Sequence, residues 1–419
     1  MKSSKLIFKL ALLLIISLSS CPIIKGEKLV SVQGVSIRAF NVLPENSATM
    51  NKINLQKAID WASERGAALF VEPSETPYPI EGGLIQKKNV SLIGVHGPTA
   101  RGTVHPHQKR KPVGSVFGIT DRDNVFITVE SATQIKGIQF WYPEQTVDDP
   151  TKIIPYPATI QTSKTSATQG VFLSCLTFYG EYLAMDFNCN PQHVCELMTF
   201  EHCYGFPLSG EFIRIDYCYD IPRLLHCHVN PAIQRFIGGQ YAPAVVDAVI
   251  AKKTFAYTIN HTDNAQLIDI FTFGTYGGIL LGADTYGQLT NFNLDCVAVG
   301  IHKKGSNTFN RNWQIAQGSI IANTGESVEN IHPIIIEGEG HTSLTNVEAF
   351  SGSNPALTTV GENQSWDFML IKGDKKTTVS LFGCRMRNYR SDHPFTIRNN
   401  NAIIYAEGCI DKDENRFSY

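Results

Sequence analysis

Two short stretches of the chain each place ionisable or aromatic side chains on both sides of a cysteine. One reads LLHCHVNP, and the other, lying 24 residues earlier, reads EHCYGFP. Histidine and tyrosine serve as general bases and acids, and histidine also ligates zinc. Acid–base chemistry, a metal site and a purely structural role are therefore all open. The four flanking residues are His202, Tyr204, His226 and His228.

Both stretches belong to a pattern that recurs along the chain: an apolar residue, two others, a second apolar residue, an outward residue and a third inward residue. Adjacent copies are 21 to 27 residues apart. Such a period, made of short strands with little helix, is typical of solenoids, in which stacked copies share one core. The expected inward positions are Ile135, Ile138, Phe140; Leu173, Leu176, Phe178; Phe200, Cys203, Gly205; Leu224, Cys227, Val229; Ile268, Phe271, Phe273; Leu289, Phe292, Leu294; Leu344, Val347, Ala349; Leu381, Cys384, Met386; Ala406 and Cys409.

The pattern predicts an all-β chain that forms a single-stranded, right-handed parallel β-helix of roughly ten coils. An amphipathic helix over residues 53–66 (INLQKAIDWASERG) is expected to cover the N-terminal end, where unpaired strand edges promote aggregation. A β-sandwich is the alternative, but the Asn-Gly and Asp-Gly signals of hairpins between strands are missing.

The repeat also predicts where side chains meet. On a strand, residues i and i+2 point the same way, so the residues on either side of an inward cysteine point outward. His202 should then lie beside His226, and Tyr204 beside His228. Cys203, Cys227, Cys384 and Cys409 share one inward position and should be free, buried thiols, whereas Cys189 and Cys195 are the pair that a disulfide would join.

The N-terminal region resembles the pectate-lyase-like superfamily of parallel β-helix proteins. The matching segments are VSIRAFNV (35–42), LQKAIDWA (55–62), ALFVEP (68–73) and NVSLIG (89–94). The superfamily usually has Gly-Asp-Gly and Asp-Asp-Thr before the helix, where this chain has LPENSATMNKIN. The resemblance implies a secreted protein that acts on polysaccharide, as a lyase or a glycoside hydrolase.

Three chemistries compete for the residues around the two stretches. β-Elimination on a uronic-acid polymer needs a base, an acid and a cation for the carboxylate. Glycoside hydrolysis needs two carboxylates, with Asp216, Asp220 and Glu201 as candidates. The third is a metal site. We favour elimination at His202, Tyr204, His226, His228, Arg214 and Asp216, with substrate contacts from Glu201, Arg223, Lys252, Tyr257, Trp141 and Tyr142. A non-catalytic, adhesin-like carbohydrate binder is the further alternative.

Composition and the N-terminal residues limit the setting. A net charge of −2 gives no electrostatic reason to expect a nucleic-acid partner. Residues 1–26 read as an export signal, and residues 18–21 (LSSC) resemble a bacterial lipobox in which Cys21 is lipidated. We expect one β-helix domain over 27–419, no membrane span and an exported, periplasmic or surface-anchored protein. No cofactor is required, although carboxylates would suit calcium.

Overall fold

The structure is a computed structural model, and it describes residues 34–97, 111–305, 312–322, 331–350, 367–386, 394–411, 413–417 and 419. The predicted export signal over 1–26 and the predicted lipidation site Cys21 lie outside these residues. Residues Gly34–Tyr419 form one compact unit. Within the described ranges, no helix has the length and apolarity that crossing a membrane requires.

An eleven-stranded, entirely parallel sheet runs the length of this unit and contributes one strand to each coil. In-register partners follow one another from Gln161 to Asp186, Arg214 and Thr258. The eleven strands give eleven coils, close to the predicted ten. They are Leu84–Gln86, Ile127–Val129, Ile160–Thr162, Met185–Asn188, Ile213–Asp216, Phe255–Ile259, Gly277–Leu281, Val299–Lys303, His332–Glu337, Met369–Lys372 and Phe395–Arg398.

A second sheet of 22 strands, called the large sheet below, forms the other walls. Its strand pairings are parallel except the last, between Cys409–Ile410 and Arg416–Phe417. The strands are Val35–Ser36, Ala68–Phe70, Tyr78–Ile80, Ser91–Ile93, Val116–Ile119, Thr133–Lys136, Gln139–Trp141, Val171–Tyr179, Thr199–Gly205, Arg223–Leu225, His228–Val229, Ala265–Ile268, Phe271–Phe273, Gly287–Thr290, Asn293–Val297, Asn312–Ala322, Gly340–Phe350, Thr377–Phe382, Arg385–Met386, Ala402–Glu407, Cys409–Ile410 and Arg416–Phe417. A small parallel sheet of Thr168–Gln169, Cys195–Glu196 and Cys218–Tyr219 lines one turn.

The fold is the predicted right-handed parallel β-helix. Parallel strands joined in this way are right-handed in nearly all proteins, because a right-twisted strand returns to its sheet only in that sense. Except in the coil of Ile268, Phe271 and Phe273, the predicted inward residues line a continuous core, in which Leu176, Cys203 and Cys227 are fully buried. One copy that the sequence pattern missed, Ile315–Gly318–Ile320, completes the stack between its neighbours.

An N-terminal helix, α1 (Ala48–Arg65), packs against the first strands and buries Leu55, Ala58, Ile59 and Ala62. It begins five residues earlier than predicted, because the Ser47 side chain accepts a hydrogen bond from the Met50 N–H and caps the first turn. It ends at Gly66, whose φ of 59° suits glycine.

The chain leaves the coil after Val229 and returns at Phe255. This insertion holds a 3-10 helix (Pro231–Ile237) and a second helix, α2 (Pro243–Ile250). Tyr257, one of the predicted substrate contacts, lies just after this insertion and not in it. Phe255–Ile259 is a strand of the eleven-stranded sheet, so alternation turns the Tyr257 side chain into the core.

The cysteines behave largely as predicted. Cys203, Cys227, Cys384 and Cys409 are buried free thiols. The suspected disulfide between Cys189 and Cys195 is not formed, and both are also buried free thiols. Remaining short helices are Ile37–Phe40 and Pro150–Lys152.

Candidate functional site

The large sheet bends once in each coil at a residue with left-handed backbone. Cys175, His202, His226 and Asp269 occupy this bend in four successive coils, with φ between 51° and 56°. We call this row the corner column. A non-glycine residue at such φ is uncommon, and Asn, Asp and His are the types that adopt it more readily. The bend, and not simple alternation, turns the His202 and His226 side chains outward.

The predicted pairing between the two stretches is confirmed. Strand register places Tyr204 beside His228. The His202 and His226 rings stack at 4.6 Å with an angle of 11°, and Nδ1 of His202 lies 3.1 Å from the Tyr204 hydroxyl. The four side chains therefore form one surface, called the histidine patch below.

The next coil completes the histidine patch with two residues that the sequence analysis did not select. Asp269 Oδ2 lies 2.8 Å from Nδ1 of His226. The Phe271 ring stacks on His228 at 4.1 Å with an angle of 17°. An aspartate that accepts a hydrogen bond from one imidazole nitrogen fixes the tautomer and leaves the other nitrogen as the proton acceptor.

The sequence analysis missed these residues because it placed this coil one residue out of phase. It expected Ile268, Phe271 and Phe273 to point inward. The buried residues are instead Leu267, Ile270 and Thr272. Both choices give an apolar pattern, and only alignment of Leu267 with Leu224 in the neighbouring strand identifies the right one.

Burial and neighbouring charge set the proton affinities of the patch. Burial, followed by the nearby His226, lowers the pKa of His202 below its ordinary value. Burial raises the pKa of Tyr204 well above that of a free phenol. Both effects favour the neutral forms, in which the hydroxyl can donate to Nδ1 of His202.

His96 is a further histidine beside the patch that the sequence did not indicate. Its ring lies 6.5 Å from that of Tyr204. Despite this density of imidazoles, the described part of the chain contains no group of three or more His, Cys, Asp or Glu side chains placed to hold a metal ion.

Arg214 and Asp216 do not lie with the histidine patch, contrary to the prediction of a single site. Both belong to the eleven-stranded sheet, because consecutive segments of a β-helix enter different walls. Arg214 contacts Asp186 at 3.1 Å and Glu211 at 3.5 Å, and Asp216 lies 2.7 Å from Nδ1 of His261. We call these residues the charged cluster.

The predicted substrate-contact residues are also divided. Glu201 and Arg223 are partly exposed on strands of the large sheet, close along the chain to His202 and His226. Lys252 follows α2, and its ammonium group lies 5.5 Å from the Tyr182 ring centroid.

The aromatic candidates differ in exposure. Trp141 is partly exposed at the end of a strand in the large sheet. Tyr142 is buried, with its hydroxyl 2.7 Å from Thr159 Oγ1. Tyr257 is fully buried and donates its hydroxyl proton to the Phe271 carbonyl, so the prediction that it contacts substrate is wrong.

Comparison with known proteins finds similarity in structure alone: no protein-family model matches the chain, and no curated protein matches it. The tailspike protein of Acinetobacter phage vB_ApiP_P1 is 10% identical at a TM-score of 0.46, over 93% of this chain and 61% of the tailspike, so the chain spans less than two thirds of that protein. DFA-IIIase from Arthrobacter chlorophenolicus A6 is 11% identical at a TM-score of 0.42, and the match covers 90% of this chain and 86% of that enzyme. Polygalacturonase from Erwinia carotovora ssp. carotovora is 14% identical at a TM-score of 0.40, and the match covers 88% of this chain and 96% of the polygalacturonase. The parallel β-helix architecture is established by the strand pairings themselves.

Proposed function

We propose that this protein is a carbohydrate-active enzyme that cleaves an acidic polysaccharide by β-elimination at the histidine patch. One observation carries the proposal. A histidine oriented by a carboxylate, His226 with Asp269, stacks on a second histidine that is hydrogen-bonded to a tyrosine. Base and acid are thus held side by side on one outward surface.

His226 is the proposed base. With Nδ1–H donated to Asp269, its Nε2 accepts the proton α to a uronic-acid carboxylate. The electron pair of that C–H bond forms a carbon–carbon double bond, and the adjacent C–O glycosidic bond breaks. Asp269 stabilises the imidazolium that results, as the carboxylate does in other Asp–His pairs.

Tyr204 is the proposed acid. A tyrosine hydroxyl is protonated near neutrality, and burial raises the pKa of Tyr204 further, so the proton is present for transfer to the leaving oxygen. Of the three cations considered for the substrate carboxylate, only Arg223 belongs to the sheet that carries the patch. Its strand ends one residue before His226.

The solenoid provides the surface for a polymer. Successive coils repeat about every 4.8 Å, so an extended chain lying along the large sheet meets His202, His226 and Asp269 in turn. A polymer and not a single sugar is therefore the proposed substrate.

The test is incubation with a panel of acidic and neutral polysaccharides, following ultraviolet absorbance and reducing ends together. Absorbance from a new unsaturated uronate means elimination, and loss of that signal in His226→Asn supports the patch. Full activity in that variant would remove the patch from the mechanism. If neither signal appears and a polysaccharide is only retained, the protein is a binder and the enzymatic proposal fails.

A second candidate function, glycoside hydrolysis, rests on the charged cluster. Arg214 contacts both Asp186 and Glu211, so the two carboxylates lie beside one guanidinium group, and glycoside hydrolysis uses a pair of carboxylates. Burial raises the pKa of Glu211, as a general acid requires, although Arg214 opposes this. Reducing ends without new ultraviolet absorbance, abolished by Glu211→Gln, would establish this function in place of elimination.

We also propose that the protein is exported, on the strength of residues 1–26. Expression in a bacterial host followed by mass spectrometry of the mature N-terminus tests this. A diacylated Cys21 means a lipid anchor, cleavage near Gly26 means free secretion, and an intact leader on intracellular protein contradicts export.

A further inference from the structure

A cavity of about 400 Å³ lies beside Trp141, where the insertion after Val229 meets the loop that follows the Trp141 strand. Its size is within the range of about 300–1,000 Å³ typical of small-ligand sites. Neither the repeat nor the histidine patch accounts for it. The side chains and backbone that matter below are Trp141, Asp148, Gln234, Ile237, Gly238 and Gly239.

The walls of the cavity are held by hydrogen bonds, so it is largely formed in advance. On the insertion, the Asn230 side chain caps the 3-10 helix through the Ala232 N–H, and Gln234 Nε2 donates to the Tyr241 hydroxyl at 3.0 Å. The Ala242 N–H donates to the Val147 carbonyl at 2.7 Å and ties the insertion to the opposite wall.

The opposite wall is fixed through one glutamine. Gln145 Nε2 donates to the carbonyls of Ile154 and Gly180, and Gln145 Oε1 accepts from the Ile154 N–H. A site whose walls are already ordered loses little conformational entropy when a ligand binds.

The lining combines a flat aromatic surface with hydroxyl-binding groups. Trp141 and Ile237 offer apolar surface, while the Asp148 carboxylate and the Gln234 amide offer polar contacts. Gly238 and Gly239 leave the backbone uncovered on that side. Among the described lining residues there is no lysine or arginine, and Asp148 would repel an anion. This chemistry fits the apolar face and hydroxyls of a neutral sugar and opposes a uronate.

Chain connectivity and strand register relate the position of the cavity to that of the histidine patch. The strand His228–Val229 leads directly into the 3-10 helix that lines the cavity. Trp141 lies two coils and two residues from Tyr204, through the register of Gln139 with Thr177 and of Thr177 with Tyr204. Strand geometry then puts their backbones roughly 12 Å apart, a span that one oligosaccharide can bridge.

We infer that this cavity is a subsite for a neutral sugar residue of the substrate, so the polysaccharide carries neutral as well as acidic residues. The inference rests on the proposed function for its substrate, but binding can be tested without cleavage. The probes are maltose, cellobiose, lactose and digalacturonate, observed by saturation-transfer NMR with the full chain.

Two variants act on the cavity in opposite ways. Trp141→Ala removes the stacking surface. Gly239→Leu fills the space; a Cβ there has no heavy atom closer than 3.6 Å, so the backbone can accept it. Tyr405→Ala, an exposed aromatic on the last coil, is the matched control.

We expect saturation transfer to at least one neutral disaccharide and less to digalacturonate. The signal should fall at least fivefold in both cavity variants and persist in Tyr405→Ala and His228→Ala. No binding of any neutral disaccharide, or binding that survives both cavity variants, overturns the subsite. If the natural chain binds a neutral disaccharide in this cavity but cleaves no polysaccharide of the panel, the proposed elimination fails and the subsite stands.

Discussion

Two histidine–aspartate pairs among the described residues have nearly equal geometry, and they differ in what surrounds them. Asp269 is 2.8 Å from Nδ1 of His226 in the histidine patch, and Asp216 is 2.7 Å from Nδ1 of His261 in the charged cluster. His226 stacks on a second imidazole, whereas His261 lies flat against the Tyr217 ring at 4.3 Å. A carboxylate–imidazole pair is therefore not a site by itself; its neighbours decide what a proton can do there.

The largest expected effect is on the elimination rate, and it should distinguish the His226–Asp269 pair from the His261–Asp216 pair. His226→Asn should lower the rate of elimination by about 10²–10⁴-fold, the usual contribution of a general base. Asparagine is chosen because it tolerates the positive φ of the corner column. The measurement is the initial rate of ultraviolet absorbance on the polysaccharide that the panel identifies.

His261→Asn is the matched variant, since His261 also has positive φ and an aspartate partner. It should retain most of the elimination rate. Equal losses in the two variants would show that the surroundings of the pairs do not distinguish them.

A buried carboxyl group beneath the large sheet gives the next largest effect, on stability. Glu181 is fully buried, and neither of its carboxylate oxygens has a hydrogen-bond partner. Burial raises its pKa to about 8 from an ordinary value of 4.5. Between these values the unfolded chain loses a proton that the folded chain keeps, so the free energy of unfolding decreases as pH rises.

Glu181→Gln should therefore be more stable than the natural chain at pH 8, by at most about 5 kcal/mol, with the difference vanishing near pH 4. Urea unfolding at several pH values measures this. The prediction is contradicted if Glu181→Gln is less stable than the natural chain at pH 8. That result would mean that the Glu181 carboxylate makes a stabilising interaction in the folded chain. Unlike the two aspartates, Glu181 shows a carboxyl with no partner.

The hydrogen bond between His202 and Tyr204 should appear in a titration. Burial and His226 lower the pKa of His202, so its NMR signals should titrate at a lower pH than those of a free histidine. Tyr204→Phe removes the hydroxyl but keeps the ring, and should reduce the elimination rate while leaving the fold intact. Titration of His202 above the ordinary histidine range would contradict the neutral, stacked arrangement.

The smallest expected effect concerns the charged cluster. Arg214→Met removes two partly exposed ion pairs, with Asp186 and Glu211, and should lower stability by no more than about 1 kcal/mol. The loss should shrink at high salt, where such pairs are screened. A loss of several kcal/mol that salt does not change would instead show that Arg214 compensates buried charge.

Much of the coil architecture could be predicted because its signals are local. The inward positions of Cys203 and Cys227 follow from the repeated spacing of apolar residues, and both thiols are buried. Lys303 shows that the residues next to a side chain in the sequence do not always predict whether it is buried. It resembles a loop charge in the sequence, yet it is buried in a strand and donates hydrogen bonds to the carbonyls of Gly305 and Glu339. Desolvation lowers its pKa to about 8.

The sequence by itself determined the repeat, the helical cap and the pairing of the two histidine stretches, because the coil period is set by nearby residues. The tertiary structure decided which of the other candidate side chains lie on the same sheet of the β-helix as the histidine patch. It brought Asp269 to His226 from 43 residues away and carried Arg214 and Asp216 to another sheet. The physical reason is that register between coils depends on burial across the whole stack, and a shift of one residue reverses every side chain of a strand.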